Sequence, residues 1–191
     1  MRLNERLNFV LPLYRGDDDC YAWVHAAPIS REVFESNYLL LSKTFTAIHS
    51  EGLGEIAGPK IAKLLLNDVA KSMDSSNPDI VTRPLLNEIR RLSNVMLKTA
   101  TAWETMPLQD AIQHKQLDEE DIGEVENILT FFTVVLHLYP KNMRQAYLDG
   151  ATKMWGAQML SSNSTEFLNS LPTSSEIVSI GAKAIASSVP S

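Results

Sequence analysis

Asp118-Glu119-Glu120-Asp121-Ile122-Gly123-Glu124-Val125-Glu126-Asn127-Ile128-Leu129-Thr130-Phe131-Phe132-Thr133-Val134-Val135-Leu136-His137-Leu138-Tyr139-Pro140 is the stretch on which the fold reading turns. Ile122, Val125, Leu129, Phe132 and Leu136 recur at spacings of three and four, the stripe of a helix packed against a core. Ile128, Phe131, Val134 and Val135 make the second half apolar nearly all round, so several other helices must cover it. Asp118 opens the segment, where carboxylates cap the helix and meet the positive end of its dipole, and Pro140 stops it. The nearly apolar run from Ile128 to Tyr139 has about 12 residues, short of the roughly 20 that cross a bilayer.

Working outward, more helical stripes appear. Ser30 is placed to cap a helix with Glu32 in its first turn, and Phe34, Tyr38, Leu41, Phe45 and Ile48 give an amphipathic helix of about 19 residues. Gly52 and Gly54 end it. Gly58-Pro59 opens or kinks the next, with Ile61, Leu64, Leu65 and Val69 on one face. Thr82-Arg83-Pro84 starts a third with Leu85, Ile89, Leu92 and Met96 inward, a short piece runs from Pro107 to His114, and a last helix from about Asn142 carries Met143, Tyr147, Met154 and Trp155.

The first 29 residues differ. Leu7, Phe9, Leu11 and Leu13 fall on one face at period two, Tyr21 and Trp23 share a face of a second β-favouring run, and Arg15 to Asp19 reads as the turn. Pro12 should keep its strand at an edge or a bulge. From Ser161 the chain is rich in Ser, Asn and Thr, which reads as a mobile tail with brief docking by Phe167-Leu168 or Ile177-Val178. The expected architecture is mainly α: a β-hairpin over 1–29, a compact helical domain of about five helices over 30–160, and a flexible tail over 161–191.

With 191 residues, 45% of them apolar, the composition is that of one ordinary globular domain. The net charge of -6 gives no general attraction for nucleic acid or anionic lipid, so neither is an expected partner. That charge is local: Asp118, Glu119, Glu120, Asp121, Glu124 and Glu126 account for the whole excess of 23 acidic over 17 basic side chains. A lone cysteine, Cys20, excludes an internal disulfide, and Met1-Arg2-Leu3-Asn4-Glu5-Arg6 lacks the apolar core of a secretion signal, which together point to a reducing cytoplasm.

No P-loop, Gly-x-Gly-x-x-Gly, His-Glu-x-x-His or Cys-x-x-Cys spacing occurs, so no phosphate or metal ligand set is pre-arranged along the chain. His25, His49, His114 and His137 are scattered, and His137 inside an apolar helix reads as a hydrogen-bonded packing residue rather than a ligand. Asp17-Asp18-Asp19 lacks the ligand ladder of a calcium loop and reads as a solvated turn. Those same carboxylates disfavour the Cys20 thiolate, the opposite of an activated nucleophile. Trp155 is balanced between core and interface anchor, and Gly156 between close packing and a bend. No catalytic residue, metal or cofactor is expected.

Several strings nevertheless resemble a family. Trp103-Glu104-Thr105-Met106-Pro107-Leu108, Leu117-Asp118-Glu119-Glu120-Asp121-Ile122 and Val125-Glu126-Asn127-Ile128-Leu129-Thr130-Phe131-Phe132-Thr133 are similar to segments of tail assembly chaperones of long-tailed bacteriophages and prophages. Pro28 to Glu35 with its continuation to Gly54, and Leu148 to Ala151 with the stretch from Trp155 to Phe167, extend the likeness over roughly residues 7 to 173. The resemblance implies a non-enzymatic late protein of the host cytoplasm, absent from the mature virion. It would bind the tape measure protein, keep it soluble and help recruit tail tube subunits. A homo-oligomer and a frameshifted longer product are left open. On this reading Phe131, Phe132 and Trp155 are the candidate client contacts, because apolar residues there exceed one stripe, and Glu124 and Glu126 are candidates for steering a basic partner. The rival classes are a structural virion protein, such as a head-tail connector or tail-completion protein, and a small hydrolase or metal-dependent enzyme.

Overall fold

Two hydrophobic periods alternate along the chain, and each builds its own layer. The structure, a computed structural model, describes residues 7–16, 19–50, 52 and 54–172. Strands β1 (Asn8–Arg15) and β2 (Asp19–Ala26) lead into helices α1 (Arg31–Ser36), α2 (Tyr38–Ser50), α3 (Gly54–Met73) and α4 (Pro78–Arg91). Strands β3 (Ser93–Lys98) and β4 (Trp103–Pro107) follow, then α5 (Leu108–Gln113), α6 (Glu119–Leu138), α7 (Lys141–Met154), β5 (Gln158–Leu160) and α8 (Ser164–Ser170).

The expectation of a mainly α chain is overturned: the protein is mixed α/β, with a five-stranded antiparallel sheet in the order β4-β3-β2-β1-β5. The N-terminal hairpin is part of that sheet, and the region 30–160, read as helical, supplies β3, β4 and β5. The misreading has a local cause. The stripe of Leu85 and Ile89 is real, but α4 ends at Arg91, and Met96, four residues past Leu92, lies on a strand whose alternation coincides with helical spacing there. Val95 faces the helices while Met96 faces away. Thr99 closes the β3–β4 turn: its N–H donates to Ala102 O at 2.8 Å and its hydroxyl oxygen accepts from Ala102 N at 3.1 Å.

The hairpin follows the expected alternation on β1, where Phe9, Leu11 and Leu13 enter the main core. β5 pairs only with Asn8, Phe9 and Val10, so Pro12 lies past the reach of that neighbour, where its missing N–H breaks no ladder. On β2 a bulge changes the expected pattern. Leu13 stands opposite Ala22 and Tyr14 opposite Cys20, so Tyr21 is the extra residue. It turns inward and donates its hydroxyl to Asp121, with the Arg15 guanidinium 4.3 Å above its ring, while Trp23 faces the other side.

Helix α6 begins and ends as its sequence dictates: Asp118 caps it by accepting from Asp121 N at 2.9 Å, and Tyr139-Pro140 closes it. It packs against α2, α3, α4, α7 and β1, which explains an apolar surface nearly all round. Phe132 meets Phe9 with ring centroids 4.9 Å apart, and Phe131 presses on Gly58 of α3, where an added Cβ would sit 2.8 Å from the ring. Ser30 caps α1 by accepting from Val33 N, yet the expected helix of about 19 residues is broken in two. Asn37 leaves helical geometry at φ -111° and ψ 12°, and its amide donates to Val33 O at 2.8 Å, the competing local bond that makes asparagine a poor helix-interior residue.

The sheet therefore has an inner face under the helical layer and an outer face. On the outer face lies α8, with Phe167 packed against Val10, Met96, Trp23, Trp103 and Leu160. Residues 161–172, read as the start of a mobile tail, thus include a docked helix; Ile177-Val178 lies outside the described residues.

Candidate functional site

The five side chains singled out in the sequence do not share a surface. Phe131 and Phe132 are buried in the main core, and Trp155 is half-buried beside them. Phe131 and Trp155 do come together: with Phe9, Pro59, Ile128, Thr152 and Ala157 they line a small, partly open apolar pocket of about 10 Å³. The Trp155 indole Nε1 is buried and has no hydrogen-bond partner among the described residues. Glu126 is buried to 4% exposure and bridges α6 to two other helices, accepting from Lys63 of α3 and from Arg90 Nε of α4 at 2.6 Å. Glu124 alone of the five is exposed.

The acidic cluster consequently divides. Asp118 caps α6, Asp121 accepts from Tyr21, and Glu126 is consumed by an internal ion pair, which leaves Glu119, Glu120 and Glu124 at the surface. Burial raises the Asp121 carboxyl above its ordinary value against the opposing bond from Tyr21. Burial also raises the Tyr21 hydroxyl, with Asp121 adding to it. These are the marks of a structural contact between β2 and α6.

The histidines remain dispersed. His137 donates within helix geometry to Thr133 O at 2.9 Å and stacks on Phe34 at 5.2 Å; burial lowers its pKa below the usual value. His49 lies within 2.9 Å of Phe45 O and 3.2 Å of the Tyr147 hydroxyl. Among the described residues no group of three or more His, Cys, Asp or Glu could hold a metal ion. Cys20 is half-buried and its thiol is raised, as expected, but chiefly because it is buried; Asp19 adds less, and Lys98, which pairs with Asp19, opposes it. Asp17 and Asp18 lie outside the described residues.

The surface offers two other features. An open groove of about 280 Å³ between α1 and α4 is lined by Glu32, Val33, Ser36, Asn37, Pro84 and Glu88, and Arg91 holds the Glu88 carboxyl below its ordinary value. Large apolar side chains are also exposed on the helical layer: Tyr38 and Leu39 on α2, Ile56 and Leu64 on α3, Ile80 on α4, Met143 and Met154 on α7. Each is more than half exposed.

The residues that sequence reasoning missed are those of the outer sheet face. Trp23 meets Phe167 edge-on at 5.5 Å, His25 Nε2 and Asn8 Nδ2 both donate to Ser162 O, and Trp103 Nε1 donates to Pro172 O. The signal was present as Asn163-Ser164-Thr165-Glu166 ahead of Phe167-Leu168, a capping box that the structure forms in full. No family model, curated protein or solved structure matches the chain. Among the described residues no helix is long and apolar enough to cross a membrane.

Proposed function

We propose that the protein is a tail assembly chaperone of a long-tailed bacteriophage or prophage, one that binds the tape measure protein, keeps it soluble and helps recruit tail tube subunits. Its action is non-enzymatic, takes place in the host cytoplasm and ends before the virion is complete. The resemblance across residues 7 to 173 supports this reading, and one structural observation adds to it: large apolar side chains, four of them Leu or Met, are exposed on α2, α3, α4 and α7 of a helical layer whose other faces already fill the core. Unbranched and γ-branched side chains of this kind repack against many amphipathic helices, which suits a client made of long helical segments.

Phe131 and Phe132 have no direct part in binding, because their rings fill the interior. The test is co-expression with the tape measure protein of the same phage or prophage. The chain should hold that protein in the soluble fraction, and Leu39→Asp with Leu64→Asp should release it while the chaperone stays folded. Unchanged client solubility with and without the chain would end the proposal. Mass spectrometry of purified virions separates the rival class, since a structural virion protein would be found in them.

A further inference from the structure

We infer that the solvent face of the α2–α3 pair is a docking surface for a partner helix whose apolar stripe is flanked by carboxylates. The inference deepens the chaperone reading and rests on it only for which protein supplies the helix. On α3, Ile56, Lys60 and Leu64 follow at intervals of four and are all exposed, so they form one ridge in the order apolar, cation, apolar. On α2, which packs against α3, Leu39 and Lys43 repeat the same step and are likewise exposed. Leu39, Ile56 and Leu64 are each more than half exposed.

The charge on this face runs against that of the whole chain. The net charge is -6, yet α2 contains no Asp or Glu, and the α3 ridge continues to Asp68, whose carboxylate Lys71 takes at 3.0 Å. Glu51 and Glu55 belong to the turn end of the pair. Lys63 is spent on the buried Glu126, whereas Lys43 and Lys60 have no ion pair among the described residues. Two unpaired ammonium groups set beside exposed Leu and Ile side chains match an amphipathic helix with Asp or Glu along its apolar stripe. The stripe covers the apolar members, and the carboxylates meet the lysines at the rim, where charge selects the partner more than it adds affinity. A lipid surface or a nucleic acid also offers anions, but as an extended polyanion that a chain of net charge -6 repels; one helix brings only a few.

The test is fluorescence anisotropy with three labelled synthetic peptides of about 18 residues, long enough to be helical, titrated with the full-length chain. The peptides share one leucine stripe and carry Glu, Gln or Lys beside it. The parent chain should bind the Glu peptide at least about fivefold more tightly than the Gln peptide, and the Lys peptide weakest of all. Lys43→Glu with Lys60→Glu, both at exposed positions, should invert that order, and Leu64→Ser should weaken all three peptides. Affinities that ignore the flanking charge, or an order that the lysine variant leaves unchanged, overturn the docking face. Binding to phosphatidylglycerol vesicles that the lysine variant loses, with no peptide bound, overturns it as well and makes the face a lipid-binding one. A client kept soluble equally by the parent chain and the lysine variant sinks the docking face and keeps the chaperone. The expected order of peptide affinities, with a client that the parent chain cannot keep soluble, does the reverse.

Discussion

The two faces of one sheet have opposite designs. The inner face is sealed by α6 and its neighbours into a core that includes Phe9, Leu11, Val24, Leu129 and Phe132. The outer face has one seven-residue helix and three buried side chains. Both faces come from the same strands at the same alternation, so the difference lies in what covers them. Cover by long helices fixed at both ends gives a sealed core, whereas cover by one short helix gives a thinner layer with fewer buried contacts.

The sharpest way to break this comparison is to shorten one phenylalanine on each side. Phe132→Ala should destabilise the whole molecule by ~3–5 kcal/mol, because the cavity beside Phe9 cannot collapse among so many packed neighbours. Urea denaturation should show a lower midpoint with an unchanged slope. Phe167→Ala should cost only about 1–2 kcal/mol globally, since α8 undocks and recovers the conformational entropy of the ordered segment. Comparable losses from the two variants would make the outer face as integral as the inner.

Glu126→Gln comes next in size. The glutamate is almost fully buried, while Lys63 and Arg90 keep side-chain exposures of 25% and 28%. Removing one partner of a buried pair is strongly destabilising, but here both cations can turn toward water, so a loss of about 2 kcal/mol is expected, read from the thermal midpoint. Gly58→Ala should follow at ~1–2 kcal/mol, because its Cβ would lie 2.8 Å from Phe131 and 3.0 Å from Ile48 Cγ2. A neutral Gly58→Ala would mean that the α3–α6 contact is looser than the distances indicate.

Legibility in the sequence follows the same divide. Local signals were readable: the α6 stripe and its Asp118 cap, the Ser30 cap, and the inward set Phe9, Leu11 and Leu13. Pairing between distant strands was not, because Ser93 to Lys98 has both a helical and a period-two reading, and only its partner β2 decides between them. Glu126 looked like part of a surface cluster since sequence does not show that Lys63 and Arg90 converge on it. Trp155 was balanced between core and interface, and it sits between the two, half-buried beside a small apolar pocket. The α8 capping box was visible, but the Ser- and Asn-rich composition around it pointed to a tail.

The smallest effect concerns pH and belongs to the inner layer. His137 has its pKa lowered first by burial, helped by Arg144 and opposed by its bonds to Thr133 O and Ile29 O. The unfolded chain therefore takes up the proton near the ordinary value of 6.5, before the folded chain does. Between those two values the unfolded state holds more protons, so this contribution to stability is complete above about pH 6.5 and declines as pH falls toward the folded value. One such group sets a slope no steeper than about 1.4 kcal/mol per pH unit. Urea midpoints between pH 7.5 and 5.5 should fall in the parent chain and fall less in His137→Gln. An equal slope in both would place the titration elsewhere, while a slope that vanishes in His137→Gln and persists in Phe167→Ala would assign it to the helical layer and keep the outer face out of it.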